Sequence, residues 1–126
     1  MPIIASNFKT NHTRKSTSLF VEKLNEYLKS NEALDEIYIF PTSTSLDSFE
    51  LNHKLFIGAQ NAYHTKNGSF TGEIGLEQLE EFNIKTILIG HSERRHILGE
   101  TQEEMRKALC VLRRSGFLIH KAYHPK

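Results

Sequence analysis

The polar and ionisable side chains of this chain that are best suited to catalysis or ligand binding follow runs of apolar residues. The stretch "IGHSERR", Ile89 to Arg95, places a histidine, a serine, a glutamate and two arginines after such a run. The stretch "NFKTN" places Asn7 and Lys9 after the first apolar run in the same way. If the runs are parallel strands, these side chains lie beyond the carboxyl ends of the strands, where parallel α/β folds bind ligands.

Together these residues predict a small anion-binding site that polarises a carbonyl group. In an extended chain Asn7 and Lys9 project to the same side, because they are two residues apart. His91 stands between a strand and a helix start, where the positive end of the helix dipole disfavours imidazolium. A neutral histidine can donate an N–H to a carbonyl oxygen, and Lys9 would supply a fixed positive charge for an oxyanion or a phosphate.

Each of these residues also has a purely structural interpretation. A lysine at a strand end is commonly a solvated loop charge. Ser92 suits a helix N-cap, and Glu93 suits the first turn of a helix or an ion pair with Arg94 or Arg95. The seven histidines show no metal-ligand spacing such as HExxH, so no metal site is predicted.

Length and composition limit the function classes. A chain of 126 residues with 38% hydrophobic residues is the size of one domain with a core. The net charge of +1, from 16 basic and 15 acidic residues, argues against nucleic acid as a partner. No apolar stretch predicts a membrane span, and the N-terminus lacks the basic region of a signal peptide. The single cysteine, Cys110, excludes an internal disulfide and predicts a cytoplasmic protein, with this thiol packed inside a helix.

The elements that position these residues alternate between strands and helices. The predicted strands are Pro2–Phe8, Ile37–Phe40, Lys54–Asn61, Thr86–Gly90 and Phe117–Ile119. The predicted helices contain Phe20, Leu24, Tyr27 and Leu28; Leu46 and Phe49; Leu76 and Leu79; and Met105, Leu109 and Leu112. The last helix is marked by a capping box of Thr101 and Glu104 and by a stop at Gly116.

Strands that are apolar on both faces and separated by helices indicate a parallel α/β sheet. No linker or low-complexity segment divides the chain. We therefore expect residues 1–126 to form one incomplete domain of four βα units and the start of a fifth strand, with an atypical tail at residues 120–126.

Four motifs together resemble the triose-phosphate isomerase family. They are "NFKTN", "GAQNAY", "GSFTGEIG" and "IGHSERR", in the order and at the approximate spacing of the family, and the likeness runs from Ile3 to about Ile119. The resemblance implies a (β/α)₈ TIM barrel that interconverts dihydroxyacetone phosphate and glyceraldehyde 3-phosphate through an enediolate, in glycolysis and gluconeogenesis. It implies a cytoplasmic homodimer with no metal or organic cofactor.

The resemblance also implies roles for individual residues. This family is itself the standard example of a neutral histidine acting as electrophile beside a glutamate base. By motif, His91 is the electrophile, Lys9 stabilises the negative charge, and Asn7 contacts the substrate. Glu93 matches the family's acid near the lysine, which supports the residues that contact the substrate, and Ser92 lies beside it. Thr71 matches the residue that a partner subunit inserts against the site.

The resemblance covers only part of the family's pattern. A complete barrel of this type has about 250 residues. The "CIGE"-like segment, the general base of an "AYEP"-like segment and the later phosphate loops have no counterpart here, and "AYHP" with His124 is interpreted as a chance similarity. We therefore expect a truncated N-terminal half that is marginally stable and inactive alone.

Two alternatives remain open at this point. The chain could be a non-catalytic half-barrel that assembles with itself or with a complementary fragment. It could also be a phosphate-binding module that uses Asn7 and Lys9.

Overall fold

The computed structural model describes residues 3–31, 36–47 and 49–121, and the chain forms two compact units, Met1–Gly58 and Ala59–Lys126. The first unit contains strands β1 (Ile4–Asn7), β2 (Ile37–Phe40) and β3 (Leu55–Ile57) in one parallel sheet of order β1-β2-β3. Helix α1 (Arg14–Ser30) connects β1 to β2. The parallel α/β prediction is confirmed in this unit.

Burial explains the central strand of the first unit. All four residues of β2 are buried, so its β-branched and aromatic side chains are covered on both faces of the sheet. Pro41 follows it directly and, having no N–H, cannot continue the hydrogen-bonded ladder. The predicted bounds of this strand are confirmed, whereas β1 is shorter than predicted, with Pro2 outside the described residues.

Helix α1 begins at a capping box. The side chain of Thr13 accepts a hydrogen bond from the Ser16 N–H at 3.2 Å, and the Ser16 hydroxyl accepts one from the Thr13 N–H at 2.9 Å. Its buried face contains Thr17, Val21 and Leu28. The predicted stripe was wrong at two positions, because Phe20 and Tyr27 are 37% and 53% exposed.

A single 3-10 turn, Ser43–Ser45, follows β2 in place of the predicted short helix. Leu46 after it is buried, but Phe49 lies outside any helix. The Nε of Arg14 donates to Oδ2 of Asp47 at 2.6 Å, which fastens the start of α1 to this segment. The guanidinium holds the pKa of the Asp47 carboxyl below its usual value through this hydrogen bond, against a smaller opposing effect of burial.

The second unit contains a parallel pair, β4 (Thr86–Ile89) and β5 (Leu118–Lys121), with Thr86 paired to Leu118. Three helices belong to it: α2 (Leu76–Glu81), α3 (Ser92–His96) and α4 (Gln102–Arg114). An isolated bridge joins Ala59 to Ile87. The third strand, predicted as Lys54–Asn61, is shorter than predicted, and the fifth begins at Leu118, one residue later than predicted.

Helix α4 has the predicted ends. The Thr101 side chain accepts from the Glu104 N–H at 3.2 Å, and the Glu104 carboxylate accepts from the Thr101 N–H at 2.9 Å. Gly116 follows the helix with φ +85°, a conformation that glycine adopts without a Cβ clash. Met105, Ala108 and Leu112 are buried, but Cys110 is exposed, so the prediction that this thiol is packed was wrong.

No helix among the residues that the structure describes combines the length and apolar character needed to cross a membrane. His124 lies outside those residues, as does most of the tail.

Candidate active site

The first group of candidate residues surrounds the end of β1. Asn7 is the last residue of the strand and pairs with Phe40. Its side-chain Oδ1 accepts a hydrogen bond from the backbone N–H of Lys9 at 2.9 Å. The Asn11 N–H then donates to the Phe8 carbonyl at 3.0 Å and closes a turn in which Lys9 is the second residue. The structure thus brings Asn7 and Lys9 into direct contact.

Lys9 has an unusual backbone conformation. Its φ is +56°, which a side-chain-bearing residue adopts at a cost of roughly 1–2 kcal/mol. The chain is therefore not extended from Asn7 to Lys9, and the geometric reason given for their common direction was wrong. The hydrogen bonds of this turn restrict the Lys9 backbone more than an extended segment would. A charged group whose position is fixed in advance stabilises charge that develops on a bound ligand more effectively.

The second group lies after β4. Gly90 has φ +75°, and His91 is the N-cap of α3. The His91 Nδ1 accepts a hydrogen bond from the Glu93 N–H at 3.3 Å. The prediction that Ser92 is the N-cap was wrong, because Ser92 is the first residue of the helix and is exposed.

The contacts of His91 bear on its protonation. The Glu93 carboxylate also lies against Nδ1, where it favours a proton on that nitrogen, whereas the backbone N–H of Glu93 requires a lone pair there. The amide is fixed by the first turn of α3, and the Glu93 side chain is 38% exposed. The backbone contact thus fits an imidazole with Nδ1 as acceptor, and the carboxylate contact fits an imidazole with Nδ1 protonated.

Arg94 makes a contact that the sequence did not indicate. Its Nε donates to the Glu100 carboxylate at 2.8 Å, and its carbonyl accepts from the Glu100 N–H at 2.8 Å. Glu100 is only 13% exposed at its side chain, which makes this pair less accessible to solvent than ordinary surface pairs. The pair ties α3 to the segment before α4 and so supports the position of His91.

A cavity of about 210 Å³ in the second unit contains this arginine. Its wall combines aromatic, acidic and apolar side chains, among them Asn61, Tyr63, His64, Glu73, Arg94, Glu100 and Glu104. Sequence reasoning missed this cavity because its residues come from several separate segments, between Asn61 and Ala108, with no common motif. Within the described ranges, 3–31, 36–47 and 49–121, no three His, Cys, Asp or Glu residues are grouped to hold a metal ion.

Thr71 is exposed in a loop of residues 62–75. The Glu73 N–H donates to the Phe70 carbonyl at 3.0 Å and closes a turn over Thr71 and Gly72, whose φ is +88°. At the base of the loop the Tyr63 N–H donates to the Ile74 carbonyl at 2.8 Å. The loop thus presents Thr71 at the tip of an internally hydrogen-bonded structure.

The candidate residues are distributed over both units. Asn7 and Lys9 belong to the first, and His91, Ser92, Glu93 and Thr71 belong to the second. A common site for Lys9 and His91 stays a prediction.

Comparison with known proteins identifies what the chain resembles. The triosephosphate isomerase family model matches residues 2–119. The triosephosphate isomerase of a Sulfurovum species is 54% identical over 117 residues, which are 93% of this chain and 50% of that relative. Those of a Nitratiruptor species and of Sulfurimonas denitrificans are 51% and 50% identical, and the match covers 49% and 48% of their lengths. The chain therefore spans about half the length of the curated relatives it matches.

Proposed function

The chain belongs to the triosephosphate isomerase family, and from that premise we propose that it supplies the carbonyl-polarising part of a site that interconverts dihydroxyacetone phosphate and glyceraldehyde 3-phosphate. The observation that carries the proposal is the hydrogen bond from the Glu93 N–H to Nδ1 of His91. It supports a neutral imidazole whose Nε2–H can donate to a substrate carbonyl. We place this activity in the cytoplasm, in glycolysis and gluconeogenesis.

The chemistry assigned to His91 is electrophilic assistance. When a base removes the proton from the carbon next to the carbonyl, the C–H electron pair forms the enediolate double bond and negative charge develops on the carbonyl oxygen. The Nε2–H of His91 donates to that oxygen and stabilises the charge. A neutral donor is suited to this step, and this family is the standard example of it.

Lys9 and Asn7 supply the electrostatic part of the mechanism. The Lys9 ammonium stabilises the negative charge of the enediolate and of the substrate phosphate. Asn7 contacts the substrate and, through its Oδ1, holds the backbone of the lysine at 2.9 Å. Because the turn is closed before substrate arrives, little reorganisation accompanies the reaction.

The base that removes the carbon-bound proton comes, in this proposal, from a segment that these 126 residues do not contain. Carbonyl polarisation without a base cannot complete the proton transfer. The chain alone is therefore expected to have no isomerase turnover, and activity should depend on a complementary second half.

The experiment is reconstitution. This chain is mixed with the unmatched half of the Sulfurovum relative, and the conversion of glyceraldehyde 3-phosphate is followed in a coupled assay. Turnover should be absent with either half alone and present in the mixture. In the mixture, His91→Gln should lower kcat by about 10²–10³-fold, the usual effect of removing one oxyanion donor. His96→Asn, at the exposed end of α3, is the matched control and should leave kcat unchanged.

A second candidate function is a non-catalytic half-barrel that assembles with itself. It is favoured by apolar residues that remain exposed at edge strands, where Ile4 on β1 is 50% exposed and Leu118 on β5 is 51% exposed. Sedimentation of the chain separates the two candidates. A defined dimer together with an inactive mixture supports assembly, whereas turnover in the mixture supports the isomerase.

We also propose that the protein forms a homodimer through the loop of residues 62–75, with Thr71 inserted against the partner's site. The exposed tip and the hydrogen-bonded base of the loop support this contact. Thr71→Arg should weaken the dimer in sedimentation of the reconstituted sample, and an unchanged dimer constant would exclude the contact.

A further inference from the structure

Two residues in the segment after β1, three positions apart, have left-handed backbones. Lys9 has φ +56° and His12 has φ +71°, a conformation that residues with a side chain rarely adopt. Histidine is enriched among such residues and lysine is not. Two hydrogen bonds hold this turn, one from the Lys9 N–H to Oδ1 of Asn7 at 2.9 Å and one from the Asn11 N–H to the Phe8 carbonyl at 3.0 Å, and ring contacts around the turn add to them.

An aromatic contact spans this turn. Phe8 is the first residue of the turn and His12 directly follows its last residue, and their ring centroids are 4.7 Å apart. Phe20 of α1 meets the Phe8 ring edge-on at 5.1 Å and lies 6.0 Å from the His12 ring. Ring pairs at these distances attract one another, so the contact favours the turn conformation in which Phe8 and His12 meet.

A polar contact adds to the aromatic one. Nδ1 of His12 lies 3.2 Å from the hydroxyl of Ser16, which also accepts from the Thr13 N–H at 2.9 Å in the capping box of α1. The Ser16 hydroxyl can donate to a neutral imidazole or accept from a protonated one. His12 is thus connected to the first turn of the longest described helix in either protonation state.

We propose that His12 is a positioning residue for Lys9. Its ring closes against Phe8 across the turn and holds Lys9 in the left-handed conformation that aims the ammonium. This role rests on the proposed function, because it assigns to Lys9 the stabilisation of developing charge. His12 itself contacts no substrate in this proposal.

The test is nuclear magnetic resonance on the full 126-residue chain labelled with ¹⁵N. Two observables report on the turn: the HN–Hα coupling constant of Lys9, which depends on φ, and the exchange rate of the Asn11 amide. His12→Asn keeps a residue that tolerates the left-handed conformation but removes the ring. His12→Phe keeps the ring but removes the contact with Ser16.

We expect His12→Asn to shift the Lys9 coupling constant and to accelerate Asn11 exchange about two- to tenfold, the effect of losing one ring pair. His12→Phe should return both observables only part of the way toward the wild-type values, because it keeps the ring but, unlike histidine, is not favoured in a left-handed backbone. His53→Asn, at an exposed site outside the turn, is the matched control and should change neither. Equal values in the wild-type chain and His12→Asn would overturn the proposal, as would equally accelerated exchange at Ile39 in the buried strand β2.

Activity provides a separate readout in the reconstituted sample. His12→Asn should reduce kcat more than it raises KM, because a mobile lysine affects the developing charge more than the ground state. If the Asn11 amide responds as expected but no sample shows turnover, the proposed function fails and the positioning of Lys9 stands. If turnover appears and the amide does not respond, the positioning role fails alone.

Discussion

Gly75, the N-cap of α2, is the position where one added methyl group has the clearest expected effect. Its φ of −92° is open to any residue, so Gly75→Ala introduces no backbone strain. A Cβ built there would lie 2.5 Å from the Lys66 carbonyl oxygen and 2.7 Å from Oε1 of Gln78. The Gln78 side chain can move away, but the Lys66 carbonyl is backbone.

The Lys66 carbonyl also accepts a hydrogen bond from the first turn of α2, the helix that Gly75→Ala would displace. It accepts the Glu77 N–H at 3.2 Å, and the adjacent Thr65 carbonyl accepts the Leu76 N–H at 2.9 Å. Relieving the clash weakens at least one of these bonds, each with a net value of about 1 kcal/mol. With the overpacking itself, the expected loss in the free energy of unfolding is about 1–3 kcal/mol.

Urea unfolding followed by far-ultraviolet circular dichroism measures this loss in the chain. Gln78→Ala serves as the matched background, because it removes the movable neighbour and leaves the Lys66 carbonyl in place. The cost of Gly75→Ala should remain at least about 1 kcal/mol in that background. A cost below about 0.5 kcal/mol, the usual range for a surface substitution, would refute the reasoning. Full recovery in the Gln78→Ala background would refute it as well.

Two further predictions concern ion pairing and capping. Because Arg14 lowers the pKa of Asp47, the pair stabilises the folded state above the ordinary aspartate pKa, and this stability is lost as the pH falls through the lower folded value. Asp47→Asn should therefore reduce the stability at pH 6 and flatten its decline below about pH 4, measured by urea titration at each pH, and an unchanged acid profile would contradict the assignment. Thr101→Ala removes the side-chain acceptor of the α4 cap and should cost about 1 kcal/mol in the same assay. Ser115→Ala, at the C-cap where the hydroxyl donates to the Val111 carbonyl at 2.9 Å, is the control for losing an exposed hydroxyl bond outside the N-cap.

The elements that the sequence predicted best are those with strong local signals. The strand Ile37–Phe40 was predicted with its observed bounds, because a run of β-branched and aromatic residues ends at a proline. The capping box of Thr101 and Glu104 marked α4 for the same reason, since capping depends on neighbouring residues alone. The parallel arrangement followed from strands that are apolar on both faces.

The errors arose where tertiary contacts decide the outcome. The buried face of α1 includes Thr17, a residue that an apolar pattern does not count, and of the predicted stripe Leu28 is buried whereas Phe20 and Tyr27 are exposed. Leu46 is buried by its surroundings after a 3-10 turn, and its burial does not require a helix.

The sequence indicated which residues are candidates for the site, but it did not predict their backbone conformations. The left-handed backbone of Lys9 carries no glycine signal, and it could not be foreseen from the motif. His91 and Ser92 both carry suitable capping acceptors, and the end of β4 at Ile89 with the turn at Gly90 places the histidine at the cap. The roles of these residues in catalysis stay predictions.

The parallel ladders of both units join segments that are close in sequence. Ile4 pairs with Ile37, a separation of 33 residues (37 − 4), and Thr86 pairs with Leu118, a separation of 32 residues (118 − 86). Each ladder closes over one stretch of chain, so its pairing needs no segment from outside that unit. During synthesis, the first unit can therefore begin to fold on the ribosome before the residues of the second have emerged. The order of translation would then be the order in which the lysine-bearing turn and the histidine-bearing helix acquire their conformations.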